Sequence, residues 1–433
     1  MREMKNTGVV WCPTIPVSWS IEKVKQNFYI SKSKAAISNP TVLKLARAGV
    51  QIRDISNNEG QLAASYDDYN PVRYGDLLLN PMDLYSGANC NMSEIEGVIS
   101  PAYANLRSTK DLNPKYYDYY FKVQYWTMAM FAHGKGVSFD NRWTINAEGI
   151  LNYEIPVPTK EEQNLIVDIV GSKCEQVDNL IVNQEAQIEK LKRYKQSLIT
   201  EVVTKGLNPD AEMKDSGVEW IKKIPSNWET IPVKNKFSFG KGLPITKADL
   251  IEAGIKVISY GQIHAKYNNG VSINDKLYRF VSSKFMETNS SSLVAQNDFI
   301  FADTSEDVTG AGNFVFIDRN DEIFAGYHTI VLHSKRNEDN KYFAYLFMSD
   351  MWKKQIQCRV SGVKLFSISR SILAKTTLII PSVEEQREIV AFLDSKCNHI
   401  NKLIEIKQSK IAKLNEYKKS LIYEYVTGKK EVC

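Results

Sequence analysis

Basic, hydroxyl and amide side chains recur in four stretches of this 433-residue chain: Ile30–Ser38 (ISKSKAAIS), Ala132–Trp143 (AHGKGVSFDNRW), Phe239–Lys247 (FGKGLPITK) and Cys358–Arg370 (CRVSGVKLFSISR). Lys32, Lys34, Lys135, Arg142, Lys241, Lys247, Arg359, Lys364 and Arg370 can neutralise phosphates, a salt-dependent source of affinity. Ser138, Asn141 and Ser361, together with the arginines, can hydrogen-bond base edges. These residues are candidate DNA contacts; for any one of them alone, a solvated surface loop is the competing reading. No catalytic constellation accompanies them. GxGxxG, the GxxxxGK[ST] phosphate loop, HExxH and the NPPY-like tetrapeptide of amino-methyltransferases do not occur. Glu212 and Lys214 are too close in sequence to flank a metal from separate strands, and the five histidines are dispersed. The expectation is a binder, not an enzyme, with no cofactor or metal of its own.

The elements that must position these loops are written twice. Pro158–Thr204 aligns without a gap on Pro381–Thr427, with 22 identities in 47 positions. A second marker, Thr7–Trp19 (TGVVWCPTIPVSW), matches Ser216–Trp228 (SGVEWIKKIPSNW). The offsets are 223 and 209, so the intervening region is 14 residues longer in the second half. Repeats of this kind define architecture before any other signal. The implied domains are 1–157, a variable region; 158–206, a helical region; 207–380, a linker with a second variable region; and 381–433, a second helical region.

The variable regions share only a faint skeleton. YGDLLLN (74–80) resembles QNDFIFA (296–302), both strand-like. NPKYYDYYF (113–121) resembles DNKYFAYLF (339–347), each reading as the start of an aromatic-rich helix. Runs such as GIKVISYGQI, GVISPAYANLR and NFVFID read as short strands between turns, an α+β pattern.

The repeated regions read as long helices. Thr159 with Glu162, and Ser382 with Glu385, have capping-box spacing just after a proline. Val177, Ile181, Ile188, Leu191 and Leu198 then recur at spacings of three and four, as do Ile400, Ile404, Ile411, Leu414 and Leu421, with Gln184, Lys195, Lys407 and Lys418 interrupting the seams. Such a stripe must be buried against a partner. The natural partner is the other copy, in an antiparallel coiled coil with pseudo-twofold symmetry. About 44 helical residues would span about 65 Å.

Composition sets looser bounds. The formal charge of +5 permits nucleic-acid binding without requiring it. Six scattered cysteines lack metal spacing and suggest reduced thiols. No run suggests export or a membrane span, and the expected location is the cytoplasm.

Taken with the duplicated architecture, the motifs IPVPTKEEQ…SKCEQVDNLI…LKRYKQSLITEVVTKG and IIPSVEEQREIV…SKCNHINKLI…LNEYKKSLIYEYVTGKK resemble the DNA-specificity subunit of type I restriction–modification systems. SGVEWIKKIPSNW is similar to the marker at which target-recognition domains of that family begin. The resemblance implies two target-recognition domains, each reading one half of a bipartite, asymmetric double-stranded DNA site. It implies paired helices that set the gap and dock two modification subunits, which carry S-adenosylmethionine and methylate adenine. Two restriction subunits driven by ATP and magnesium complete the complex. A stand-alone bivalent DNA-binding regulator and a coiled-coil scaffold are the alternatives.

Overall fold

A computed structural model describes all residues except 1, 36–38, 47–48, 57–62, 64, 85–89, 137–142, 336–338, 363 and 433. The fold mixes helix and sheet, and the chain divides into two compact units. The first comprises Met1–Gln184 with Gln408–Cys433; the second is Glu185–Lys407. Both boundaries fall inside the two long helices, Lys160–Lys205 and Val383–Val426.

In the first unit a four-stranded antiparallel sheet runs in the order Phe28–Ile30, Ala104–Ser108, Leu77–Leu79, Cys90–Met92. The aromatic helix Pro114–Trp126 packs beside it, opened by Asn113, whose side chain accepts from the amides of Lys115 and Tyr116. Pro114 sits at the first helical position, where its missing N–H would have no partner anyway. Strands Ser20–Lys23 and Glu154–Val157 pair antiparallel, so the globular part is closed by its own two ends.

The second unit repeats this plan. Its sheet order is Phe237–Lys241, Thr329–Ser334, Phe299–Ala302, Phe314–Phe316, with the aromatic helix Lys341–Met348 alongside. Glu229–Pro232 pairs with Thr377–Ile380 as the closing ribbon. A further sheet orders Arg279–Val281, Ile255–Ile258, Ile323–Ala325 and Leu293–Val294, its central pair parallel. The run GIKVISYGQI is only half strand: Ile255–Ile258 is extended, and Tyr260–Ile263 turns into a short helix at Ser259. At that turn the Gln262 side chain reaches back to accept from the Ser259 amide at 3.2 Å, satisfying one donor at the helix start.

The YGD and QND sequences explain themselves in the turn before the central strand. Gly75 and Asn297 adopt left-handed backbone (φ 85° and 74°), which these residue types tolerate best. The following Asp76 and Asp298 are both buried. Asp76 receives Arg107 Nη2 at 2.6 Å and Nε at 2.8 Å. Asp298 accepts from His333 Nδ1 at 2.7 Å. One fold thus carries two different partners, a guanidinium and an imidazole, at one structural position.

Each unit's core draws on both long helices. In the first, Ile166, Val170 and Cys174 from the start of one helix join Leu421, Ile422, Tyr425 and Val426 from the end of the other. In the second, Ile389, Leu393 and Cys397 join Ile199, Val202 and Val203. Of the seam positions, Val177, Ile188, Ile400 and Leu421 are buried, and Ile181, Leu191, Leu198, Ile404, Ile411 and Leu414 are half-buried. In the first unit Lys418 Nζ reaches both Asp178 carboxylate oxygens at 2.7 Å. In the second, Lys195 Nζ donates to Asn401 Oδ1 at 2.9 Å, and Lys407 donates to Gln187. Residue numbers rise on one helix as they fall on the other, the sense of antiparallel neighbours.

The repeated markers converge where helix ends meet. Trp19 Nε1 donates to Glu162 Oε2 at 2.7 Å, and Arg2 also pairs with this carboxylate. Trp228 Nε1 donates to Glu385 Oε1 at 3.1 Å. Glu385 closes the expected capping box, accepting from the Ser382 amide while its own amide donates to Ser382 Oγ. Tyr116 Oη donates to the carbonyl of Val426, and Tyr342 Oη to that of Val203, satisfying acceptors that helix termini leave open. Each helix stops at a left-handed glycine, Gly206 (φ 77°) or Gly428 (φ 68°).

Candidate nucleic-acid interface

Two of the four basic stretches meet in the second unit. Strand Phe237–Lys241 brings Lys241 to the edge of the sheet, and the two-residue strand Phe366–Ser367 pairs with Thr304–Ser305. The Ile368 amide donates to Asp303 O at 2.7 Å, which docks the late loop on the central strand's continuation. Ser369 then caps the short helix Arg370–Ala374, accepting from the Ile372 amide, and Arg370 Nη2 donates to Gly240 O at 2.8 Å. The result is a cleft of about 340 Å³ whose lining includes Lys241, Arg370, Ser369, Asp303 and His328.

Its floor depends on close backbone approach. A Cβ at Gly242 would lie 1.8 Å from the Gly326 carbonyl oxygen, so no side chain fits there. His328 stands at the rim with a left-handed backbone (φ 53°), a conformation costly for a non-glycine residue. Its ring meets Tyr260 and Tyr327 edge-on, with centroids 5.5 and 6.0 Å away, and its Nδ1 lies 3.3 Å from Asp303 Oδ1.

The first unit holds a counterpart. Lys135 and Thr144 bridge the ends of the loop, the Lys135 amide donating to Thr144 O at 2.7 Å. Asn146 caps the helix Ala147–Asn152 through the Gly149 amide at 2.7 Å. A cleft of about 350 Å³ lies here, lined by His133, Lys135, Thr144, Asn146 and Glu148 among others. The His133 ring meets the stacked pair Trp11 and Tyr153 edge-on, with centroids 4.7 and 5.2 Å away. Both clefts sit at the start of a short capped helix, and both combine a lysine, an acid and a histidine, drawn from different positions.

The remaining candidates are dispersed. Ser138, Asn141 and Arg142 lie outside the described residues. Lys32 is exposed, and Lys34 forms an exposed ion pair with Asp68, whose hydrogen bond raises the lysine's pKa. Lys247 opens a short 3-10 helix, and neither it nor the two earlier lysines lines either of these two clefts. Arg359 donates back to Gln355 O at 2.6 Å; Ser361 and Lys364 are exposed. His328, Asp303, His133 and Glu148 carried no sequence signal, because each gains its place from tertiary contacts.

A larger, mostly apolar groove of about 880 Å³ lies at the end of the first long helix beside Leu207, Met351 and Phe392, and contains none of the candidate DNA contacts. Cys12, Cys90, Cys174 and Cys397 are unpaired and buried, and burial pushes the Cys12 thiol up to about 11. Among the described residues no group of His, Cys, Asp or Glu could hold a metal ion, and no helix is long and apolar enough to cross a membrane.

Residues 225–416 match the family described as the type I restriction modification DNA specificity domain. The MjaVIII type I restriction enzyme specificity subunit of Methanocaldococcus jannaschii is 24% identical over 83% of this chain and 80% of its own length. The putative MjaX specificity subunit of the same organism is 25% identical over 67% of this chain and 62% of its own length. A chain from a solved type I R-M system, described for its complex assembly and conformational transition, superposes with a TM-score of 0.68. It is 14% identical, with 95% of this chain and 98% of that chain covered, a likeness of fold. Residues 225–416 thus match the type I specificity domain, and over most of its length the chain is similar to type I restriction enzyme specificity subunits.

Proposed function

We propose that this chain is the DNA-reading subunit of a type I restriction–modification complex and is itself non-catalytic. Each globular part reads one half of a bipartite, asymmetric duplex site, and the two long helices, paired antiparallel, set the gap between the halves. The helical regions dock two modification subunits that bring S-adenosylmethionine, and two restriction subunits use ATP and magnesium. The observation that carries this reading is the contrast between junction and cleft. The tryptophan–glutamate bond, the tyrosine–carbonyl bond and the terminal glycine recur in both units, whereas the basic clefts differ residue by residue. A repeated frame suits identical partners, and divergent clefts suit different sequences.

Exchanging residues 1–157 for the corresponding region of another specificity subunit tests it. Mapping of methylated adenines should show one half-site changed and the other retained; a change in both would overturn the modular reading.

A further inference from the structure

We infer that the cleft of the second unit reads a base that presents an amino group in the major groove, adenine or cytosine, with Asp303 as the acceptor. This rests on the DNA-reading function proposed above and adds which group reads and what it reads.

Lys241 and Arg370 give the cleft a basic rim suited to phosphate. A carboxylate in the same lining works against phosphate binding, so backbone contact does not account for Asp303. Its chemistry suits the amino groups of adenine N6 or cytosine N4, the donors that the major groove displays. The carboxylate is also oriented and half committed. Thr304 Oγ1 donates to Oδ1 at 2.7 Å, and His328 Nδ1 lies 3.3 Å from the same atom. Oδ2 has no hydrogen-bond partner among the described residues, and a third of the side-chain surface is exposed (33%).

The surroundings hold that geometry. The Asp303 amide donates to His328 O at 3.1 Å, tying the acid to the strained residue that faces it. Tyr260 and Tyr327 pack about the His328 ring, and the Tyr260 amide donates to Tyr327 O at 3.3 Å. Left-handed backbone in a histidine is retained only where neighbours over-determine it, and such residues cluster at binding sites.

The test selects sites from a random double-stranded oligonucleotide library with the full chain in complex with its modification subunit. Wild type should enrich a bipartite site. Asp303→Asn, close in size but a donor as well as an acceptor, should relax preference at one position of one half-site by about tenfold and leave the other half unchanged. His328→Asn, which tolerates the left-handed backbone, should blur the same position. Lys241→Ala should weaken all sequences alike, with the salt dependence of binding reduced by about one unit of slope. If the wild type enriches a site and both Asp303→Asn and His328→Asn enrich the identical one, the inference is overturned while the proposed function stands. Changes spread over both half-sites would also overturn it. If the wild type enriches nothing, the underlying reading fails.

Discussion

Trp228 donates its indole N–H to Glu385, 157 residues later, at 3.1 Å, and Trp19 makes the corresponding bond to Glu162 at 2.7 Å. Both tryptophans are buried, and both acids stand in the first turn of a long helix. The short marker before each variable region is therefore the clamp on the helix that follows it.

Loss of that clamp should be pH-dependent. Burial opposes ionisation of Glu385, but hydrogen bonds from Trp228, Ser382 and Asn227 outweigh it and hold the carboxyl below its ordinary range. A carboxyl depressed in the folded state contributes stability above its unfolded pKa of about 4.3, and that contribution is lost as pH falls through the folded value. Urea unfolding of wild type and Glu385→Gln should therefore differ near neutrality and converge as the pH falls below the unfolded value. A difference that does not vary with pH would count against the assignment.

The two glycine stops should not be equally sensitive. A Cβ at Gly206 would lie 3.1 Å from Trp228 Cζ2, whereas one at Gly428 would lie 2.4 Å from Pro16 Cδ and 3.0 Å from Trp19 Cη2. Both need left-handed backbone. Gly206→Ala should cost about 1 kcal/mol and Gly428→Ala about 2 kcal/mol or more, read as midpoint shifts in urea. Equal shifts would mean that the proline and tryptophan move aside freely.

Lys195 faces Asn401 where Lys418 faces Asp178. Burial pushes the Lys195 ammonium below its ordinary pKa, and its hydrogen-bond partner Asn401 is neutral. Asn401→Asp should stabilise the protein by about 1 kcal/mol, and 0.5 M salt should erode the gain. Destabilisation on this substitution would show that the neutral amide is required where it stands.

A heptad inserted into both long helices near Gln187 and Lys407 adds about 10 Å, close to three base pairs at about 3.4 Å each. Under the proposed function, mapped methylation sites should keep both half-sites and lengthen their gap by about that much. An altered half-site would separate the helices from any measuring role.

Legibility followed the length scale of the signal. The long helices could be read because cap, three-and-four spacing and duplication agree over more than forty residues; Val177 and Ile400 need only their neighbours in sequence to be placed. Asp76 and Asp298 were partly readable, since GD and ND before an apolar run signal a turn, but nothing adjacent names Arg107 or His333 as their partners. The cleft was least readable. Lys241 and Arg370 belong to basic stretches, yet their meeting depends on a bond from Arg370 to Gly240, 130 residues away. His328 is one of five dispersed histidines in the sequence, and nothing adjacent to it announces its left-handed backbone or its contacts with Tyr260 and Asp303.

Sequence separation has a consequence for the first unit. Its core begins with Val9 and Cys12 and is completed by Leu421, Ile422, Tyr425 and Val426. That core therefore stays an unfinished apolar surface until two distant segments meet, and contacts of such sequence separation form slowly. The core that holds Val9 and Cys12 closes only when the segment from Leu421 to Val426 reaches it, so a cut ahead of that segment would open a core about four hundred residues away.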